Sequence, residues 1–149
     1  MRKLFITFAF LFSPVFAEPY LTFSSRMPAG AKQSAVGIGA RTNFSHHGLD
    51  ISTSVTPDKK IRNFKGRALY LFYPTPESAH RPYMGVGGQF NVFSPQIPMK
   101  LSSPMNYAPV GVLGYEYAPE SKRKWFAQLE VENPDKKIRV IGLSVGFCF

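Results

Sequence analysis

Ser45, His46, His47 and Asp50 put a hydroxyl, two imidazoles and a carboxylate into one short run, the types from which a nucleophile, a base and an orienting acid are made. Adjacent residues of a tight turn rarely aim at one reacting atom, so the run is read as a solvated polar turn, not as a triad or metal site. His80 stands alone in a Pro-rich stretch. A second set is basic: Lys59, Lys60, Arg62, Lys65 and Arg67, with Lys136 and Lys137 much later. Such a rim can hold anionic groups electrostatically, or can simply be a solvated loop. The third set, Arg26, Arg41, Asp50, Glu116 and Glu130, is scattered through apolar and small-residue segments, where unpaired charges are costly.

Strands must position these groups. Val36, Ile38 and Ala40 alternate with Gly37, Gly39 and Arg41; Leu49, Ile51, Thr53 and Val55 alternate with Asp50, Ser52 and Ser54. Met84, Val86, Phe90 and Val92 alternate with Gly85, Gly87, Gln89 and Asn91, and Trp125, Ala127, Leu129 and Val131 with Gln128, Glu130 and Glu132. A period of two is the strand period, and it sends the two sets to opposite faces. Prolines punctuate the chain between such segments, or at their first residue. The pattern predicts eight strands near 18–27, 34–44, 48–56, 66–73, 82–93, 107–118, 124–132 and 138–149. Segments 66–73 and 107–118 are apolar on both parities, so their facing cannot be read.

The chain has a formal net charge of +9, with 44% hydrophobic and 15% aromatic residues, too apolar for a disordered segment. Arg2 and Lys3 precede an apolar run from Leu4 to Phe12, then Ser13-Pro14-Val15-Phe16-Ala17. This predicts a secretory signal over 1–17, cleaved after Ala17, and one domain over 18–149. No later stretch is long and apolar enough for a spanning helix, so the strands are expected to cross the membrane as a closed barrel. With the parities reversed, the same pattern would give a soluble, lipocalin-like barrel that binds an apolar ligand inside.

An even strand number puts both ends of the barrel domain on one side, expected to be periplasmic. Segments 28–33, 57–65, 94–106 and 133–137 then face outward, and 45–47, 74–81 and 119–123 inward. Aromatics at Tyr20, Tyr115, Tyr117, Trp125, Phe147 and Phe149 are read as an interfacial girdle. An interior this narrow is filled by side chains. Arg41, Asp50 and Glu116 are expected to pair near the periplasmic end, and Arg26 with Glu130 near the outer end, as a plug of salt bridges. Pairing of Phe44 with Leu49 through the turn would leave Arg41 diagonal to Asp50. Proton or ion conduction is the sharper alternative. Cys148 permits no internal disulfide and suits a small inward filler. Neither the glycine pairs Gly37/Gly39 and Gly85/Gly87 nor any other motif calls for a nucleotide, cofactor or metal. Export and the separation of the basic residues argue against nucleic acid.

Ile141, Leu143, Val145, Phe147 and Phe149 share one face of the last segment. That ending resembles the C-terminal strand of bacterial outer-membrane β-barrels, which the barrel assembly machinery reads. Pro82-Tyr-Met-Gly-Val-Gly-Gly88 and Gly111-Val-Leu-Gly-Tyr115 are also similar to strands of small eight-stranded barrels of the OmpA-transmembrane, OmpX and opacity-protein class. The resemblance implies an all-β, antiparallel up-and-down transmembrane barrel in the outer membrane. It also implies a structural or surface-adhesion role through the loops, with lipopolysaccharide or host molecules as partners. A lipid A-modifying enzyme or a narrow channel is the alternative. Lipid A deacylases carry a His and a Ser two apart on a late, lipid-facing strand, and Trp125 to Glu132 contains neither.

Overall fold

The computed structural model describes residues 17–27, 33–57, 61–95, 105–119, 123–135 and 138–149. Eight strands form the fold, each hydrogen-bonded to the next and the last to the first. They are β1 (Glu18–Met27), β2 (Gln33–Phe44), β3 (His47–Pro57), β4 (Ile61–Phe72), β5 (His80–Pro95), β6 (Met105–Tyr117), β7 (Lys124–Asp135) and β8 (Ile138–Cys148). All pairings are antiparallel, and β8 closes on β1 from Tyr20↔Cys148 to Met27↔Ile141. Closure leaves no sheet edge unpaired in lipid. Most of the expected signal segment, Lys59, Lys60, Lys136 and Lys137, and the side chains of Arg26 and Arg62, lie outside the described residues.

The facing of the strands is decided on β7, where Val131 is 49% exposed while its neighbours Glu130 and Glu132 are 1% and 5% exposed. Apolar side chains cover the outside and charged ones fill the inside. This overturns the soluble, lipocalin-like alternative, because a water-facing exterior would reverse that order. The segments that sequence could not orient now have a facing. Leu69, Leu71, Tyr73, Ala108, Val110 and Val112 point inward, and Tyr70, Phe72, Tyr107 and Leu113 outward.

Three expectations need correcting. The β2–β3 turn is Ser45–His46, with Phe44 opposite His47, so Arg41 faces Asp50 directly and not diagonally. Among the described residues Ser45 is the non-glycine with positive φ, at 56°. A positive φ at the first of two central residues is a feature of the primed hairpin turns, whose twist matches the strands. Tyr20 is 1% exposed inside the barrel, not part of a girdle. Finally, β4 starts at Ile61, β5 runs to Pro95 and β6 starts at Met105, so the outward segments expected over 57–65 and 94–106 are shorter. Pro57 and Arg62 are themselves opposed across the β3–β4 ladder.

Pro109 sits inside β6 without a donor, which a continuous ladder tolerates poorly. The β6–β7 ladder runs from Tyr117↔Trp125 to Val110↔Glu132, so the proline falls where pairing with β7 has ended.

Candidate functional site

The interior is organised around one guanidinium. Arg41 on β2 is 1% exposed, and its charged group lies over three rings, 4.0 Å from the centroid of Phe126, 4.8 Å from Tyr83 and 5.7 Å from Tyr20. All three fall within the range of about 6 Å where a cation is attracted by an aromatic face. Each ring has room because its direct cross-strand partner is glycine: Tyr20 opposes Gly39, Tyr83 opposes Gly114 and Phe126 opposes Gly146. A Cβ on any of these glycines would overlap the ring opposite. Tyr20 and Phe126 meet edge to face at 5.0 Å.

Hydrogen bonds fix the same guanidinium. Arg41 Nε and Nη2 donate to Asp50 Oδ2 at 2.9 and 2.8 Å, Nη1 to Glu116 Oε2 at 3.2 Å and Nη2 to Gln128 Oε1 at 3.4 Å. Tyr20 donates to the other Asp50 oxygen at 2.7 Å, and Tyr83 donates to Gln128 at 2.7 Å. Tyr73 donates to Glu116 at 3.4 Å, and Arg81 lies 3.6 Å from its second oxygen. Arg67 Nη2 approaches Asp50 at 3.9 Å while its Nη1 pairs with Glu130. Glu130 also accepts from Gln128 at 2.9 Å and from Ser144 at 2.6 Å. Tyr20, Arg41, Asp50, Arg67, Tyr83, Glu116, Glu130 and Ser144 thus belong to one connected network with a member on every strand.

Sequence reasoning placed Lys65 on a binding rim, and the structure moves it into the lumen. Lys65 is 2% exposed and pairs with Glu132, which also accepts from Gln89 at 2.7 Å. The reason is parity: Phe64 and Ala68 face out, so Lys65 and Arg67 face in. Two cations two apart on β4 thereby meet two carboxylates two apart on β7, as a pair of rungs across the lumen. Arg67 takes the carboxylate of Glu130 that sequence had paired with Arg26. Gln128, Glu132, Tyr83 and Phe126 were missed as network members, although the inward parity of β7 was the signal that could have found three of them.

The Ser, His and Asp types of the first turn are not brought together. Asp50 is held inside the barrel, His46 Nδ1 lies 2.9 Å from the Tyr73 carbonyl, and His47 pairs with the Tyr70 hydroxyl. His80 pairs in the same way with Tyr115 and lies 5.0 Å from the Tyr117 ring. Phe44, Phe72, Trp125 and Phe147 join these at the barrel end that carries Glu18 and Cys148, as an exposed belt of rings. Cys148 is a buried free thiol. Among the described residues no group of His, Cys, Asp and Glu side chains could hold a metal ion.

An apolar wall around a charge-paired interior, in eight antiparallel strands, decides the class. The chain is a small closed β-barrel with the wall of a membrane-spanning one. No family model matches it, and no curated protein matches it in sequence. Solved structures do match in fold. The barrel is similar to Neisserial surface protein A with a TM-score of 0.70 and 16% identity, over 89% of this chain and 94% of that one. It is similar to Ail of Yersinia pestis in complex with the heparin analogue sucrose octasulfate, with a TM-score of 0.54 and 14% identity over 89% and 95% of the two chains. The outer-membrane enzyme PagL also matches, with a TM-score of 0.55 and 10% identity over 87% and 98%. At these identities the likeness is one of fold.

Proposed function

We propose that this barrel is non-enzymatic and serves a structural or surface-adhesion role, presenting its basic and Pro-rich loops outside the cell. The observation that carries the reading is the interior. Arg41, Lys65, Arg67 and Arg81 are matched there by Asp50, Glu116, Glu130 and Glu132, and three rings pack against the Arg41 guanidinium. Eight strands leave an interior just wide enough for such side chains. Successive carboxylates are bridged by guanidinium groups, which do not give up a proton, so the network is a poor proton relay. Recognition is left to the loops.

In this reading residues 1–17 are a signal removed after Ala17, and the end carrying Glu18 and Cys148 is periplasmic. Lys59, Lys60 and Arg62, with Lys136 and Lys137, then stand at the outer end, where they attract phosphates of lipopolysaccharide or anionic host glycans. Ail bound to a heparin analogue gives that chemistry a precedent on this fold. Arg26 completes the outer lumen, and the strand from Ile141 to Phe149 is the signal for the assembly machinery.

The test is an alanine set at Lys59, Lys60 and Arg62 in the barrel folded into micelles. Lost, salt-sensitive retention on a sulfated glycan or on lipopolysaccharide, with the heat-dependent gel shift of a closed barrel intact, supports the reading. Unchanged retention together with acyl hydrolysis or ion conductance would replace it with an enzyme or a channel.

A further inference from the structure

The apolar wall is not evenly covered. Two neighbouring rows of outward residues cross it from β4, one from Tyr70 through Val86 and Gly111 to Ile141, the other from Phe72 through Leu113. An apolar groove of about 680 Å³ lies between them. It widens at Gly111, where no side chain stands and an added Cβ would meet nothing within 4 Å. The groove climbs the wall, because Tyr70 lies near the end of β4 on the Glu18 side, whereas Ile141 faces Met27 at the far end of β1. Four interstrand steps make it roughly 19 Å long. One leaflet of a bilayer has a hydrocarbon depth of about 15 Å.

The foot of the groove is polar. His47 stands opposite Phe72 and pairs with the hydroxyl of Tyr70, so it sits on the two residues that begin the rows. Its ring is 5.7 Å from that of Tyr70 and 5.9 Å from that of Phe72. A neutral imidazole and a phenol each bring one donor, and the bond between them uses one of the two. Whichever way the shared proton points, the exposed pair keeps a donor for a third group. Apolar along its length and donating at its belt end, the site has the polarity of an amphiphile.

The banks favour a thin guest. Val86 and Leu113, 65% and 64% exposed, rise on opposite sides of the gap at Gly111. A second barrel would rest on these ridges and forfeit contact with the floor. A single polymethylene chain lies between them. We propose that the groove binds one glycerophospholipid, with an acyl chain between the rows and a phosphate oxygen accepting from the His47–Tyr70 pair. The orientation proposed above puts this end at the inner leaflet, but binding in micelles reads the site whichever way the barrel faces.

Native mass spectrometry of the barrel, folded in micelles doped with phosphatidylglycerol, tests this. One lipid is expected to stay bound after the detergent is stripped, and diacylglycerol, which lacks the phosphate, far less. Gly111→Phe should lose the lipid by filling the groove. Gly111→Leu replaces it if the first variant lacks the heat-dependent gel shift of a closed barrel. His47→Phe should bring phosphatidylglycerol down to the level of diacylglycerol. His80→Phe, which removes the comparable partner of Tyr115 outside the groove, should change nothing. No retained lipid, a lipid that survives Gly111→Phe, equal retention of the two lipids, equal loss on His80→Phe, or a dimer that Gly111→Phe abolishes would each overturn the proposal.

Discussion

Phe126 lies between Arg41 and Gly146: its centroid is 4.0 Å from the guanidinium, and its ring occupies the space a side chain at Gly146 would take. The cation, the ring and the missing Cβ come from β2, β7 and β8 and make one layered contact. Tyr83 repeats the arrangement against Gly114, and Tyr20 against Gly39.

Those glycines should therefore be intolerant of a methyl group, while glycines on the wall should not. Gly146→Ala and Gly114→Ala are expected to cost about 1–3 kcal/mol through overpacking. Gly88 and Gly111 face outward with nothing within 4 Å of an added Cβ. Gly88→Ala and Gly111→Ala should be neutral or stabilising by up to about 1 kcal/mol. Urea unfolding from liposomes, followed by tryptophan fluorescence, compares the four.

Removing one member of the central ion pair should be severe. Asp50→Leu leaves Arg41 short of two hydrogen bonds and Tyr20 short of its acceptor. A loss of about 3–5 kcal/mol is expected, as for a buried charge stripped of its partner. The same unfolding measurement reads it.

Lys65 and the loop lysines should separate cleanly. Lys65→Gln breaks the rung to Glu132 and should lower stability while leaving glycan retention unchanged. Lys59→Ala with Lys60→Ala should do the reverse. Exchanging the charges, Lys65→Glu with Glu132→Lys, should recover part of the stability lost in either single variant, measured as a double-mutant cycle.

A charge on the wall tests the membrane face. Leu129 is 52% exposed on β7. Leu129→Arg should cost about 2–4 kcal/mol in a bilayer if it lies near the midplane, whereas on a water-facing surface it would be close to neutral. Partition between folded and unfolded bands on an unboiled gel reports the difference.

Phe149 extends past the last strand, 63% exposed, with its amide bonded to the Pro19 carbonyl at 3.2 Å. Phe149→Ser should leave the stability of the purified barrel nearly unchanged and lower the amount assembled in cells. Equal assembly of the two forms would remove the terminal strand as a recognition signal.

Strand number and most facings were legible because alternation is a period of two and needs one clear contrast per strand. Glu130 between Leu129 and Val131 supplies that contrast; Leu69 between Ala68 and Tyr70 does not. Lys65 was misplaced for a related reason: a dense basic run from Lys59 to Arg67 resembles a loop until the facing of Phe64 and Ala68 is known. The three rings around Arg41 were invisible for another. Tyr20 is aromatic near a strand end, which suits a girdle as well as a lumen, and only its register with Gly39 distinguishes them. Register depends on turn geometry, and the Ser45–His46 turn carries no glycine to announce it.

A polar network with a member on every strand has a bearing on how errors are caught. Sliding any strand by one residue turns its inward set outward. Arg41, Arg67 or Glu130 would then enter hydrocarbon, and its former partners would be stranded among apolar neighbours. A slipped or seven-stranded intermediate is thus penalised at several strands at once, not only at the faulty one. The interior acts as a proofreader of the wall, and it passes only a full, correctly aligned set of strands.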